Sequence, residues 1–261
     1  MNYNTILTSF ESGIYTITLN RPEVYNACNE ELTNELLQAF MHCHENDEIR
    51  CVILSGNGKA FCSGQDLKDA PSGQNKRSLK DSLERRYNPI IRAITSLPKP
   101  VIAGINGVAA GAGLSLALAC DVRIMSSSAK LVEAFIGIAL IPDSGANYFY
   151  TKIMGYSKAF EFATLNKPIT SDEALRIGMV NHVYHPQAFK EGLYACAKTY
   201  AEGPTQTYGY VKLLLQKGLD ASLDDILDME SEYQQLAGES YDYAEGVKAF
   251  IEKRSPRFLG K

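Results

Sequence analysis

Three short stretches carry residue types that could do chemistry: CSGQDL at 62–67, GAGLSL at 111–116 and IPDSG at 141–145. The first two place glycine after apolar, strand-like segments, and GAGLSL also opens a helical run. Amides in a helix's first turn have no partner inside the helix and sit in positive potential. They can therefore bind an oxygen that becomes negative during a reaction. Two such loops from neighbouring strands would make a two-donor oxyanion hole. The plainer alternative is tight packing of loop glycines, and spacing alone leaves both open. Asp143 sits in a Pro-Asp-Ser-Gly turn between apolar residues. It reads either as a turn cap or as a general base facing the same pocket.

More familiar catalytic signatures are missing. GAGLSL lacks the last glycine of GxGxxG, and there is no GxxxxGK[ST] phosphate loop and no GxSxG nucleophile elbow. His42, His44, His182 and His185 form no HExxH and no Cys/His cluster of zinc spacing, so no metal is expected. Cys28, Cys43, Cys51, Cys62, Cys120 and Cys196 stand singly, without a CxxC pair. They read as small buried residues in a reducing compartment.

The elements that must position these residues follow from periodicity. VIAGINGVAAGAGLSLALAC runs for twenty residues without a charge. Its glycines and the Asn106-Gly107 turn pair divide it into a buried strand VIAGI, a loop NGVAA and a helix start, which argues against a membrane span. Upstream, TILTSFESGIYTITLNRPE alternates across Ser12-Gly13 as a β-hairpin, EELTNELLQAFMHCHEN is helical and IRCVILSG is a strand. PSGQNKR reads as a polar, mobile loop, and SLERRYNPIIRAITSL as a helix bent at Pro89. After that helix KPVIAGI, a helix and VRIMSS repeat the strand, loop and helix order. Such repetition predicts a mainly parallel α/β sheet with glycine loops at one end of its strands, where ligands bind. From about Lys167 strand signals fade, and the C-terminal third reads as helical.

Composition agrees with an ordinary globular chain: 261 residues, 45% hydrophobic, 21% charged. A formal net charge of −4 leaves no basic footprint, so neither nucleic acid nor an anionic membrane is an expected partner. MNYNTILTSFE lacks a basic region followed by an apolar run, which predicts a cytoplasmic protein.

KAFCSGQDL, KPVIAGINGVAAGAGLSLALACD, IPDSGANYF and the closing EGVKAFIEKRSPRF resemble, in order and over essentially the whole chain, the crotonase (enoyl-CoA hydratase/isomerase) superfamily. Within it, GQDL, NGVAAGAG, ALIPDSG and YQQLAGES are most similar to the branch that isomerises ring-1,2-epoxyphenylacetyl-CoA to oxepin-CoA. The resemblance implies an α/β crotonase (ClpP-like) spiral of ββα units over 1–200, followed by a helical trimerisation region over 201–261. It implies a homotrimer or homohexamer and an acyl-CoA thioester substrate, with no cofactor beyond the coenzyme A that the substrate carries.

The resemblance also assigns roles. Gln65 and Ala112 would supply the backbone N–H donors for the thioester oxygen, Ala112 replacing the commoner glycine without losing its N–H. Asp143 would be the single working carboxylate. Val24, Ala27, Ser63, Asp66, Leu67 and Phe135 would border substrate and CoA, while Phe250 and Lys253 would close over the adenine and phosphate end, from the adjacent subunit if need be. The two glutamates with which the family's hydratases handle water would fall at Ser115 and Phe135, and neither is a carboxylate. Glu133 is off that position and reads as structural. Hydration is accordingly not expected, and the reading is an isomerase that shifts a proton from the α- to the γ-carbon of a thioester. A Δ3,Δ2-enoyl-CoA isomerase of fatty-acid oxidation would use the same residues in a differently shaped pocket. A bulkier ring would favour a short, wide pocket lined by residues such as Phe135 and Tyr148. A non-catalytic acyl-CoA binder is the alternative of another class, disfavoured by the intact Asp143 and both loops.

Overall fold

The computed structural model describes residues 3–68 and 78–261, so the polar loop expected at 71–77 lies outside the described residues. The chain opens with β1 (Ile6–Glu11) and β2 (Ile14–Leu19), an antiparallel hairpin. Its two-residue turn, Ser12 and Gly13, has φ of 51° and 78°, the left-handed pair that matches strand twist. α1 (Glu30–Glu45) follows, started by Asn29, whose side chain accepts the Leu32 N–H. Next come β3 (Cys51–Gly56) and β4 (Ala60–Cys62), then α2 (Leu79–Ser82), a π-helical turn over Leu83–Tyr87 and α3 (Asn88–Ser96). The third unit is β5 (Val101–Ile105), β6 (Val108–Ala110) and α4 (Ala112–Ala119). The fourth is β7 (Val122–Ser126), β8 (Lys130–Val132), a 3-10 turn over Ile136–Ile138 and α5 (Ala146–Leu165), kinked at Gly155. β9 (Ile169–Thr170), α6 (Ser171–Arg176), β10 (His182–Tyr184) and α7 (Phe189–Ala201) complete the sheets' surroundings. α8 (Thr205–Lys217), α9 (Leu223–Gly238) and α10 (Tyr241–Glu252) close the chain.

Two sheets result. One runs β1-β2-β3-β5-β7-β10, parallel from β2 onward, and the other β4-β6-β8-β9, with β9 antiparallel to β8. The second to fourth units each place their first strand in the larger sheet and their second in the smaller. That is a spiral of ββα turns. All five residues of β5 and all eight of α4 are buried, so the uncharged run is the middle of the core. No described helix is long and apolar enough to cross a membrane.

Three expectations change. NGVAA is not wholly loop, because Val108, Ala109 and Ala110 pair with β4 and β8 as β6. Strands do not end near Lys167, since β9 and β10 add two and three residues to the sheets. Such short segments borrow their extended form from a neighbouring ladder and carry no alternation of their own. The bend expected at Pro89 is realised as the π-turn. Proline has no N–H to give its preceding turn, and the Asn88 N–H reaches back five residues to the Leu83 carbonyl.

Candidate active site

The smaller sheet delivers two loops to one place. Gly64 has φ of +93°, and a Cβ built there would stand 2.9 Å from the Ala110 carbonyl oxygen and 3.5 Å from the Ala112 nitrogen. At Gly113 a Cβ would meet the Cys62 carbonyl oxygen at 2.3 Å. Glycine at both positions is thus what lets the loop after β4 lie against the first turn of α4.

In that loop the Cys28 N–H donates to Gly64 O (2.7 Å) and the Asp66 N–H to Cys28 O (3.0 Å). Those bonds come from either side of Gln65, so in a parallel bridge its own N–H turns the other way, toward the cavity that Gln65 lines. Ala112 is the first residue of α4, where an N–H has no intrahelical partner, and it lines the same cavity. The glycines pack tightly, and the packing brings two amide-bearing loops together.

The cavity has a volume of about 520 Å³ and is mostly apolar, with Phe135, Leu83, Tyr87 and Leu140 among its lining residues. Asp143 is the one carboxylate among its described lining residues. It stands in the turn before α5, yet that helix has no side-chain cap, so the carboxylate is not spent on capping. Ser144 Oγ donates to Asp143 Oδ1 (2.8 Å), and Ser115 Oγ donates to the Asp143 carbonyl oxygen (3.0 Å). Burial raises the Asp143 pKa above the ordinary aspartate value, and the Ser144 hydrogen bond partly offsets the rise.

The remaining expected residues divide. Ser63, Leu67 and Phe135 line the cavity. Val24, Ala27 and Asp66 are not among its lining residues; instead they hold the loop. Val24 O accepts the Ser63 hydroxyl, and Arg21 bridges Ala27 O and Asp66 Oδ2 (2.9 Å to the carboxylate). Phe250, 86% exposed, and Lys253, in left-handed conformation after α10, lie outside the cavity lining. Glu133 is fully buried and not among the cavity's described lining residues; its Oε2 accepts the Ile136 N–H at 3.3 Å at the start of the 3-10 turn, while its Oε1 has no hydrogen-bond partner among the described residues. Tyr148 does not line the cavity. Ala146 and Tyr150, four apart, take the inward face of α5 and leave Tyr148 42% exposed beside Phe149.

Sequence reasoning missed the wall made by Leu79, Ser82, Leu83, Arg86 and Tyr87, together with Ile138. The signal was present, since Leu79, Leu83 and Tyr87 are spaced four apart within a helical stretch.

Comparison with known proteins follows the same lines. Residues 9–261 match the family described as Enoyl-CoA hydratase/isomerase. The chain is 42% identical to the 1,2-epoxyphenylacetyl-CoA isomerase of Escherichia coli (strain K12), over 98% of each chain. It is 40% identical, over the whole of both chains, to a Rhodobacter capsulatus protein named "Probable enoyl-CoA hydratase". Its backbone matches the crystal structure of an enoyl-CoA hydratase from Bacillus anthracis with a TM-score of 0.94 and 31% identity, over 99% of this chain and 100% of that one. Similarity of that extent, end to end and in both sequence and backbone, makes the chain a member of the enoyl-CoA hydratase/isomerase (crotonase) family.

Proposed function

We propose that the protein is an acyl-CoA isomerase that moves a proton from the α- to the γ-carbon of a CoA thioester, with ring-1,2-epoxyphenylacetyl-CoA as its substrate. The thioester oxygen accepts the Gln65 and Ala112 N–H groups, and Asp143 removes the α-proton. The resulting enolate holds its charge on the oxygen between the two amides, and Asp143 returns the proton further along the conjugated system. With the ring epoxide, the arene oxide opens to the oxepin and the same shift creates an exocyclic ylidene acetyl thioester. No atom is gained or lost. A thioester α-proton is far less acidic than a carboxylic acid, so the base alone is insufficient, and removing one oxyanion donor typically costs about 2.7 to 4 kcal/mol.

One observation carries the reading: Asp143 is the sole carboxylate among the described lining residues, at the cavity where both loops meet. Burial of that carboxyl raises its proton affinity, as a base working near neutral pH requires. Ser115 spends its hydroxyl on the Asp143 backbone and Phe135 presents a ring, so neither holds a water for addition. The name of the Escherichia coli relative favours the epoxide substrate, and that of the Rhodobacter capsulatus relative favours hydration. Turnover of the ring-epoxide thioester, a β,γ-unsaturated thioester and crotonyl-CoA decides between them.

Isomerisation is expected, with crotonyl-CoA hydration absent or slow. Hydration at about 1 to 10³ per second would overturn the assignment. Asp143→Asn keeps the turn and removes the base, so it should lose about 10²-fold or more in isomerisation with an unchanged fold. Activity retained within about threefold would remove Asp143 from the mechanism.

A further inference from the structure

Gln65 is held at more points than its backbone requires. The Tyr87 hydroxyl donates to Gln65 Oε1, and Gln65 Nε2 donates to Asp66 O at 3.0 Å. Tyr87 is the last residue of the π-turn, is buried, and lines the cavity beside Gln65. The peptide that matters joins Gly64 to Gln65. Its carbonyl is fixed by the Cys28 N–H, and planarity puts its N–H on the opposite side. Gly64, at φ of +93°, lies in a conformation that offers glycine's usual rotational freedom on one side of that peptide. A tie on the Gln65 side chain limits the other side.

We infer that Tyr87 is a positioning residue of the oxyanion site: its hydrogen bond to the Gln65 side chain clamps the peptide whose N–H polarises the thioester carbonyl. This rests on the proposed role of Gln65. The wide turn is what brings the ring there, with the Arg86 guanidinium carbon 5.6 Å from the ring centre and Arg86 Nε on Thr33 Oγ1 at 3.2 Å. Burial also pushes the Tyr87 phenol well above its ordinary pKa, so the hydroxyl remains a donor.

The test combines turnover with the infrared carbonyl stretch of a bound saturated acyl-CoA carrying a ¹³C-labelled thioester carbonyl. Tyr87→Phe should lower kcat about tenfold and change KM by less than about twofold, because the tie acts on the transition state more than on substrate binding. The carbonyl band, shifted to low frequency in the parent enzyme, should move back toward its solution value. Gln65→Met should do the same or more, since it also loses the Nε2 bond to Asp66 O, and the double variant should lose no more than Gln65→Met alone, since the Tyr87–Gln65 hydrogen bond is already gone in it. A Tyr87→Phe band identical to the parent's, or losses that add in the double variant, would overturn the inference. Should Tyr87→Phe not fold, Gln65→Met alone decides: a parent-like band sinks the proposal. If the parent shows no band shift, the oxyanion reading fails and takes this inference with it. If the parent shows the shift without isomerising any thioester, only the isomerase assignment fails.

Discussion

Ala112 and Leu83 line the same cavity, but the structures behind them follow opposite plans. Behind Ala112 stands the smaller sheet, with Gly64 and Gly113 letting backbone approach backbone so closely that a Cβ would lie 2.9 Å and 2.3 Å from carbonyl oxygens. Around Leu83 the wall is built from a four-residue helix, a π-turn and, further along the chain, a 3-10 turn. Its outer side chains are loosely covered, with Leu79 65% exposed and Ile138 56% exposed, whereas Arg86 and Tyr87 are buried. The sheet-backed wall has no slack, and on the proposed mechanism it sets which reaction is possible. On the proposed mechanism, the outer part of the helical wall, Leu79, Leu83 and Ile138, can change shape without moving the reacting groups and so sets which acyl group is admitted, while Tyr87, tied to Gln65, belongs with the fixed side.

Gly113→Ala is the strongest challenge to this contrast. The added carbon must displace the Cys62 carbonyl, and with it the first turn that carries the Ala112 N–H. Overpacking of this kind costs about 1–3 kcal/mol, and misplacing a catalytic group by about 1 Å can cost 10²-fold. Both melting and turnover should therefore fall; parent-like values would show slack in the wall said to have none.

Leu83→Ala probes the other side. KM for the aromatic-ring thioester should rise about tenfold while kcat for a small β,γ-unsaturated thioester stays within about threefold. Equal losses on both substrates would place Leu83 in the chemical machinery and erase the division of labour.

Ser144→Ala sharpens the comparison with the smallest effect. Burial raises the Asp143 pKa and the Ser144 hydroxyl lowers it, so losing the hydroxyl lets the pKa rise further. The acid limb of kcat/KM should move to higher pH by less than about one unit. A carboxyl raised on folding stabilises the protein relative to its ionised form at low pH, and that stabilisation is lost as pH rises through the folded pKa. This variant should accordingly match its parent in acid and fall slightly behind it near neutrality. A limb that moves to lower pH would contradict the hydrogen bond's direction.

The two walls also differed in how far they could be read from residues alone. CSGQDL, GAG and IPDSG are short, glycine-marked and ordered along the chain, so the two loops and Asp143 could be singled out before any geometry, and the family resemblance picked Gln65 and Ala112 within them. Backbone donors demand local chemistry, and local chemistry leaves marks. The parallel α/β order was legible too, because buried strands such as VIAGI and the Ser12-Gly13 turn are strong local signals, while the spiral itself came from the resemblance. Leu79, Leu83 and Tyr87 showed helical spacing but no direction, since counting 3.6 residues per turn fails across a π-turn. Tyr148 failed as a lining residue for a related reason: the bulk of an aromatic substrate suggested aromatic lining residues, while only the start of α5 decides which aromatic turns inward. β9 and β10 escaped notice because two or three half-exposed residues become strands through their ladder partners.

The π-turn makes the substrate wall sensitive to length as well as to side chain. One surplus residue is accommodated between Leu83 and Asn88, in front of a proline that holds α3 in place. Deleting that surplus would restore an α-helical turn and rotate everything upstream by about 100° relative to α3. Leu79 and Leu83 would leave the cavity together and other side chains of the same segment would take their places. A single-codon deletion upstream of Tyr87 is thus a concerted exchange of the side chains that α2 and the turn present to the cavity, reached without substituting Gln65, Ala112 or Asp143, and point substitutions would need several steps to cover the same distance.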